Sequence, residues 1–528
     1  MSASFAARAV TIVLLLVGAS CAPADRADDP LTGDPYDLWI AGGIVVDGTG
    51  EPGARADVLV RDGRIAFVGP LDPEAAVAIE ASERFDAAGL VVAPGFIDAH
   101  AHGAPLEDPA FHNFLAMGVT TVVLGQDGGS PEAAALAEHL DAVDAVHPGV
   151  NVAYLLGHGT VRAESGVGFG DPGPEGLERM AGLVELGLSS GAFGLSTGLE
   201  YDPGSRADPT ELAAIAGPVA AHDAIVVSHM RTEDAGRVGA ALEELIEQGR
   251  QSGARVQASH LKIVLESDPA QATALLQRME AARSEGVAVT ADVYPYTASY
   301  TGIGILFPEW ARPPNDYEAV VRERRADLAA HLRRRVESRN GPEATRFGSG
   351  EYAGRTLAEV AAAEGQTYED VLIELGPEGA SAAYFVMDER VVRALLADPH
   401  TVVSSDGSPS MLHPRGYGSF ARVIRSYVVE EGVMSIEEAV RKMTGQTARN
   451  YRMDDPAVVD VPRGQVREGW AADLLAFDPA EVRDVAAFEN PHQLAEGMRA
   501  VWVGGKPALR DGAPLPGPGH GVALRARR

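Results

Sequence analysis

The sequence predicts an α/β fold: a closed, TIM-like (β/α)8 barrel joined to a small β-sandwich composed of N- and C-terminal segments. Three observations carry that prediction. The middle of the 528-residue chain alternates eight short apolar runs with Ala-, Glu- and Leu-rich stretches of helical composition. Both flanks carry short strand patterns punctuated by Gly and Asp-Gly turns, too few on either side to close a unit alone. Metal-ligating residue types fall at the ends of most of the eight runs, where the loops of a parallel barrel open.

Taken in order, residues 37–92 read as β, with "LWIAGGIVVDG", "ADVLVRDGRIAFVG" and "AAGLVVAPG". Residues 93–451 hold the eight barrel runs: "GFIDAHAH", "VTTVVLGQD", "NVAYLLGHG", "GAFGLSTGLE", "AIVVSHMR", "RVQASHLK", "VAVTADVYPY" and "TVVSSDG". Between the seventh and the eighth lies a long connection, about 300–398, which includes "RRADLAAHLRRRVESR" and reads as a helical insertion near the barrel mouth. Residues 452–515 return to β texture in "REGWAADLLAFD" and "GMRAVWVGGKPALRDG", and complete the composite sandwich.

A net charge of −31 repels phosphate backbones and anionic lipid surfaces, so no nucleic acid is expected as a partner. The single cysteine, Cys21, excludes an intrachain disulfide and any thiolate zinc site built from several cysteines. Residues 9–20, "AVTIVLLLVGAS", form an apolar stretch behind Arg8 that is too short to span a bilayer. Residues 1–21 resemble a bacterial lipoprotein signal, in which Cys21 becomes the lipidated first residue of the mature protein; Gly18 departs from the commoner Leu. Residues 22–36 then read as a flexible tether, and the expected location is the periplasm or cell envelope, with membrane contact only through that anchor. An ordinary signal peptide cleaved nearby is the plainer alternative.

The strand ends supply the chemistry. His100 and His102 close the first run, and residues i and i+2 of a strand share a side, so both can face the barrel axis and hold one ion. Asp127 ends the second run, His158 the third and Glu200 the fourth. His229 and His260 follow the fifth and sixth, and Asp406 the eighth. Imidazole and carboxylate donors of this kind suit one or two divalent ions, Zn²⁺ or a similar metal. Each histidine alone is more often a structural residue; as a set on adjacent strand ends they point to a metal centre.

The motifs "PGFIDAHAH", "SHMR", "QASHLK", "DVYPYTAS", "SSDG" with "HPRGYGSF", and "EEAVRKMTGQTAR" with "REGWAADLLAFDP" resemble the amidohydrolase superfamily, and within it the N-acyl-D-amino-acid deacylase (D-aminoacylase) branch. The resemblance runs through residues 37–507 with the motifs in family order. It implies a metal-dependent hydrolase of the amide bond of N-acyl-amino acids, with His100, His102, His229 and His260 as ligands. It also implies Asp406 as general base and acid toward a metal-activated water. Lys262 and Arg415 fall where that branch grips the substrate carboxylate, so the expected partner is a small molecule with a free carboxylate. Tyr294, Tyr296 and Ser299 fall at further substrate contacts, and His158 is a candidate for stabilising the carbonyl oxygen.

One departure stands out. The branch ends its second strand in Asn-Cys-Gly, whereas this chain reads Gln126-Asp127-Gly128. A carboxylate is a harder donor than a thiolate and changes both affinity and selectivity for the metal. Two versions follow: Asp127 replaces the cysteine as ligand at one essential metal, or Glu200 bridges a binuclear site built from both histidine pairs. The plainer alternatives are that Asp127 only closes a Gly-rich turn and that Glu200 only orients Tyr201 or Arg231. Fold and metal do not name a substrate, so dipeptides, cyclic amides and lactones are rival substrates. A catalytically inactive, lipid-anchored binding protein is the rival from another class.

Overall fold

The computed structural model describes residues 35–265 and 267–527. The expected export signal, Cys21 and nearly all of the expected tether lie outside the described residues. Eight parallel strands form the barrel: β1 (Phe96–Asp98), β2 (Val119–Leu124), β3 (Asn151–Tyr154, continued by Leu156–Gly157), β4 (Gly194–Gly198), β5 (Ile225–His229), β6 (Arg255–Ala258), β7 (Val289–Val293) and β8 (Thr401–Val403). Neighbours in sequence are neighbours in space all the way round. The seam between β8 and β1 closes just past the strand ends. There Asp406 N donates to His100 O and His102 N to Gly407 O, both at 2.8 Å. The strands are short and, apart from half-buried Arg255 in β6 and Thr290 in β7, buried along their length, which is why they read as apolar runs.

Helices cover the outside, and their ends are written locally. Asp208 accepts from Glu211 N ahead of Pro209–Ala221, with Pro209 in the first turn where its missing N–H costs nothing. Asp268 and Gln271 form a reciprocal capping box on Pro269–Ser284. The helix Val238–Ser252 stops at Gly253, whose φ of 78° needs a residue without Cβ. Among the described residues no helix is long and apolar enough to cross a membrane.

The two chain ends build one nine-stranded mixed sheet. Tyr36–Val45 pairs antiparallel with Ala54–Arg61, and Val91–Pro94 joins the amino-terminal strands to Leu474–Phe477 and Met498–Val503. The sheet folds over on itself, so that Ile65 N reaches Trp470 O at 2.9 Å. Leu38, Ile40, Val58, Val60, Ile65, Leu474 and Trp502 fill the space it encloses. The composite unit expected from the two flanks is thus one continuous sheet wrapped round its own core.

The excursion between β7 and β8 is not purely helical. Ser299–Gly302, Ser381–Tyr384 and Thr345–Phe347 form a small antiparallel sheet, carried with the helices Tyr317–Ser338, Leu357–Glu364 and Tyr368–Leu375. It has its own core around Leu332, Val336, Phe347, Leu357 and Leu372. Strands of three or four residues leave too short a pattern to be read against the surrounding helices.

A second feature escaped the sequence. Strands β3 and β4 pair only at their upper ends, and the carboxyl-terminal tail fills the gap below. Val152 N donates to Val522 O at 2.9 Å and Leu524 N to Val152 O at 2.8 Å, while Ala526 N reaches Gly191 O at 3.0 Å. Removing residues 519–528 would strip buried backbone groups of their partners, each costing about 1–3 kcal/mol. We predict a melting temperature lowered by about 5 °C in calorimetry; a midpoint within about 1 °C of the intact chain would contradict this role.

Candidate metal centre and active site

The mouth of the barrel brings together six of the predicted donors: His100, His102, Asp127, His229, His260 and Asp406. Asp127 sits beyond β2 in a turn whose residues Gly125, Asp127 and Gly128 all have positive φ. A Cβ on Gly125 would stand 2.1 Å from Leu155 O, so only glycine fits there. The turn is stapled by Gln126 Nε2, which donates to Ala99 O and Val123 O at 3.1 Å, and by Ser196 Oγ, which donates to Gly125 O at 2.6 Å. Asp127 therefore does close a Gly-rich turn, and that turn aims its carboxylate inward. His260 (φ 35°) and Asp406 (φ 48°) are also left-handed, a cluster of costly backbone conformations at one site.

The Asp127 carboxylate lies among all four histidines. Its Oδ1 is 3.5 Å from His100 Nε2, 3.4 Å from His260 Nε2 and 3.7 Å from His229 Nδ1, and its Oδ2 is 3.6 Å from His102 Nε2. Two donor groups overlap on it: His100, His102, Asp127 and Asp406, and Asp127, His229 and His260. Both ring nitrogens of His100 and Asp127 Oδ1 are buried without a hydrogen-bond partner, so the donors are in place and unsatisfied. The residues fit a divalent ion, in number and in kind.

The electrostatics agree. Burial would lower the His229 pKa, but the Glu233, Asp127 and Glu200 carboxylates outweigh it and push it up to about 10. Burial likewise opposes ionisation of Asp127, and His100 and its neighbours nevertheless hold that carboxyl well below the usual carboxylate range. Protons on imidazoles thus sit where a metal cation would.

Glu200 belongs to a third donor group, with His229 and Glu233. Its Oε2 is 3.2 Å from His229 Nε2, and within 4 Å it meets none of the other three histidines. It does not bridge the two pairs; accepting from His229 Nε2 would leave Nδ1 facing Asp127. Glu233, which the sequence reading missed, does the same for the neighbouring ring. Its Oε1 is 3.1 Å from His260 Nδ1, on the side of the ring turned away from Asp127. Glu233 follows β5 by four residues, and its signal was the need of a buried Lys262 for a counter-charge.

Lys262 Nζ lies 2.5 Å from Glu233 Oε1 and 2.8 Å from His260 Nδ1. Arg415 Nη1 lies 2.9 Å from Asp406 Oδ2, and its guanidinium stacks 4.8 Å from the Tyr294 ring centroid. Lys262, Arg415 and Ser299 line a cavity of about 300 Å³ together with His102, Asp127, Glu200, His229, His260 and Asp406. Tyr294 lies beneath the two cations, outside the cavity wall. Tyr296 is buried against His413 and Arg422, away from the cavity, so its expected substrate contact is replaced by packing. His158 is also elsewhere: it opens the helix His158–Glu164, and its Nε2 pairs with Glu211 Oε1 at 2.7 Å in a buried cluster with Arg162. It cannot serve the carbonyl oxygen from there. Tyr201, Tyr300, Thr301, Met411 and Arg339 line the cavity and were not foreseen.

A parallel barrel with overlapping imidazole–carboxylate donor groups at its carboxyl-terminal mouth defines a metal-dependent hydrolase. Residues 83–508 match the model of the amidohydrolase family, and the chain belongs to that family. It is 36% identical over 505 residues to a D-aminoacylase of Alcaligenes xylosoxydans xylosoxydans, covering 91% of this chain and 96% of that one. It is 35% identical to an N-acyl-D-glutamate deacylase of the same organism over 92% of this chain and 96% of the relative. Among solved structures it resembles the N-acyl-D-glutamate deacylase of Bordetella bronchiseptica complexed with zinc and a phosphonate inhibitor. That match has a TM-score of 0.79 and 33% identity, and covers 93% of this chain and 100% of the other. A crystal structure of D-aminoacylase gives a TM-score of 0.78 at 33% identity over the same shares of the two chains. The L-hydantoinase of Arthrobacter aurescens, at 17% identity and a TM-score of 0.55, shares the fold.

Two outcomes follow. Because Asp127 belongs to both donor groups, Asp127→Ala is expected to lower total bound metal, measured by plasma mass spectrometry after reconstitution; full retention would contradict a shared ligand. Because His229 stays protonated up to about 10, metal must displace its proton at neutral pH. Apparent metal affinity should therefore rise with pH between about 6 and 8, with proton release visible by calorimetry in buffers of different ionisation enthalpy. An affinity flat across that window would contradict the assignment.

Proposed function

We propose that this protein hydrolyses the amide bond of N-acyl-D-amino acids in a zinc-dependent reaction. The observation that carries the proposal is the Asp127 carboxylate shared by two donor groups, one of which includes Asp406, beside a cavity lined by Lys262 and Arg415. The named activities of the relatives, D-aminoacylase and the deacylases of N-acyl-D-glutamate and N-acyl-D-aspartate, support the choice of substrate. His100, His102, Asp127, His229 and His260 would hold the metal, as one ion or two, with Asp406 at its edge. A divalent ion bound there lowers the pKa of water toward neutrality and polarises a carbonyl.

The chain's own residues do the proton work. Burial would raise the Asp406 pKa, but the Arg415 guanidinium and His260 outweigh it and hold the carboxyl well below the usual range. Asp406 is therefore ionised at neutral pH and able to accept a proton from water at Oδ1, the oxygen 3.2 Å from His102 Nε2. Oδ2 stays tied to Arg415, which fixes the carboxylate plane. A carboxylic acid made so unfavourable gives its proton up readily, and the leaving amine nitrogen is the acceptor. Arg415 Nε has no hydrogen-bond partner, and its Nη2 makes only a 3.4 Å contact with Tyr300 O. The guanidinium so keeps donors for the substrate carboxylate and would place the scissile amide next to Asp406.

The test is a panel of N-acetyl-D- and L-amino acids, dipeptides, hydantoins and lactones on the zinc-reconstituted protein. The expected result is turnover of the D-series; preferential turnover of a lactone or cyclic amide would replace the proposal. Asp406→Asn should lose at least about 100-fold in kcat with normal metal content, and near-normal turnover would remove Asp406 from its role.

A further inference from the structure

Three cationic side chains line the cavity, and only two have a carboxylate. Lys262 is paired with Glu233 and Arg415 with Asp406. The third is Arg339, at the end of the helix Tyr317–Ser338 of the excursion, and it is 2% exposed. Its Nε is buried without a hydrogen-bond partner. Among the described residues no carboxylate lies within 4 Å of it and its side chain makes no hydrogen bond. What it does contact is the Tyr384 ring, whose centroid is 4.8 Å from its guanidinium carbon. Arg335, one turn earlier, is spoken for by Asp234 at 3.3 Å.

An unpaired guanidinium is expensive to bury, and the cost is relieved when an anion arrives. The substrate is the anion that enters this cavity. An N-acyl-amino acid with a neutral side chain brings one carboxylate, and Arg415, beside Asp406, is placed to receive it. A second under-satisfied guanidinium in the same cavity calls for a second carboxylate. Resting on the deacylase reading above, we propose that Arg339 is a specificity residue that binds the side-chain carboxylate of an acidic substrate, an N-acyl derivative of D-glutamate or D-aspartate. The planar fork of arginine suits bidentate binding of that group, and the aromatic face of Tyr384 holds the guanidinium in place when no substrate is bound. Arg339 is supplied by the excursion, whereas the metal donors come from the barrel. The preference would therefore be set by the inserted unit and the chemistry by the strands.

The experiment compares isosteres that differ in charge. Values of kcat/KM are measured on the zinc-reconstituted protein for the N-acetyl derivatives of D-glutamate, D-glutamine, D-aspartate, D-asparagine and D-leucine. The expected ratio of the better acid over its amide is at least about 30 in the natural protein and close to 1 in Arg339→Met. Arg339→Lys, which keeps the charge and loses the fork, should give an intermediate ratio, and it supplies the test if the methionine variant does not fold. A ratio at or below 1 in the natural protein overturns the proposal, as does a ratio that survives in Arg339→Met. Turnover of D-leucine and D-glutamine derivatives without acid preference overturns this inference alone; no turnover of any derivative overturns the deacylase reading beneath it.

Discussion

The site depends on how the barrel closes. Strands β8 and β1 meet through backbone bonds from Asp406 N to His100 O and from His102 N to Gly407 O. The residues that complete the sheet are thus the ones that carry two of the imidazoles and the candidate general base. Their side chains cannot drift apart without opening the seam. The same economy holds at β2, where the turn that ends the strand aims Asp127 at the axis. Left-handed backbone at Asp127, His260 and Asp406 costs stability, and the cost recurs at the positions where side chains must converge.

Around that ring lies a layer of carboxylates that face the imidazoles from outside. Glu200 faces His229 and Glu233 faces His260, each on the nitrogen turned away from Asp127. Glu233 also neutralises Lys262, so one buried carboxylate fixes a ligand ring and a cation together. Arg415 plays the matching part for Asp406. Of the three cationic side chains that line the cavity, Lys262 and Arg415 have a carboxylate and Arg339 has none among the described residues.

Much of this was legible in the sequence. Apolar runs ending in His, Asp or Glu marked the eight strands, and His100 and His102, just past the end of β1, do face Asp127 together. Asp127 was legible because it follows the second apolar run by a short Gly-rich turn, although its place among all four rings was not. The errors share a cause: strand alternation stops where the strand stops. His158 opens a helix and Tyr296 lies past the end of β7, so spacing along the chain no longer told which way either pointed. Glu233 and Arg339 belong to a loop and an excursion with no periodicity to mark them. The tail that fills the gap between β3 and β4 pairs across some 370 residues, a separation no local pattern encodes.

The central claim is that a carboxylate stands where two groups of imidazoles can share it. Anomalous diffraction at the zinc edge from crystals of the reconstituted protein tests it most directly. The account predicts one or two peaks against the Asp127 carboxylate, flanked by His100 and His102 on one side and by His229 and His260 on the other. Zinc bound by those histidines with Asp127 turned away, or bound elsewhere in the barrel, would contradict it.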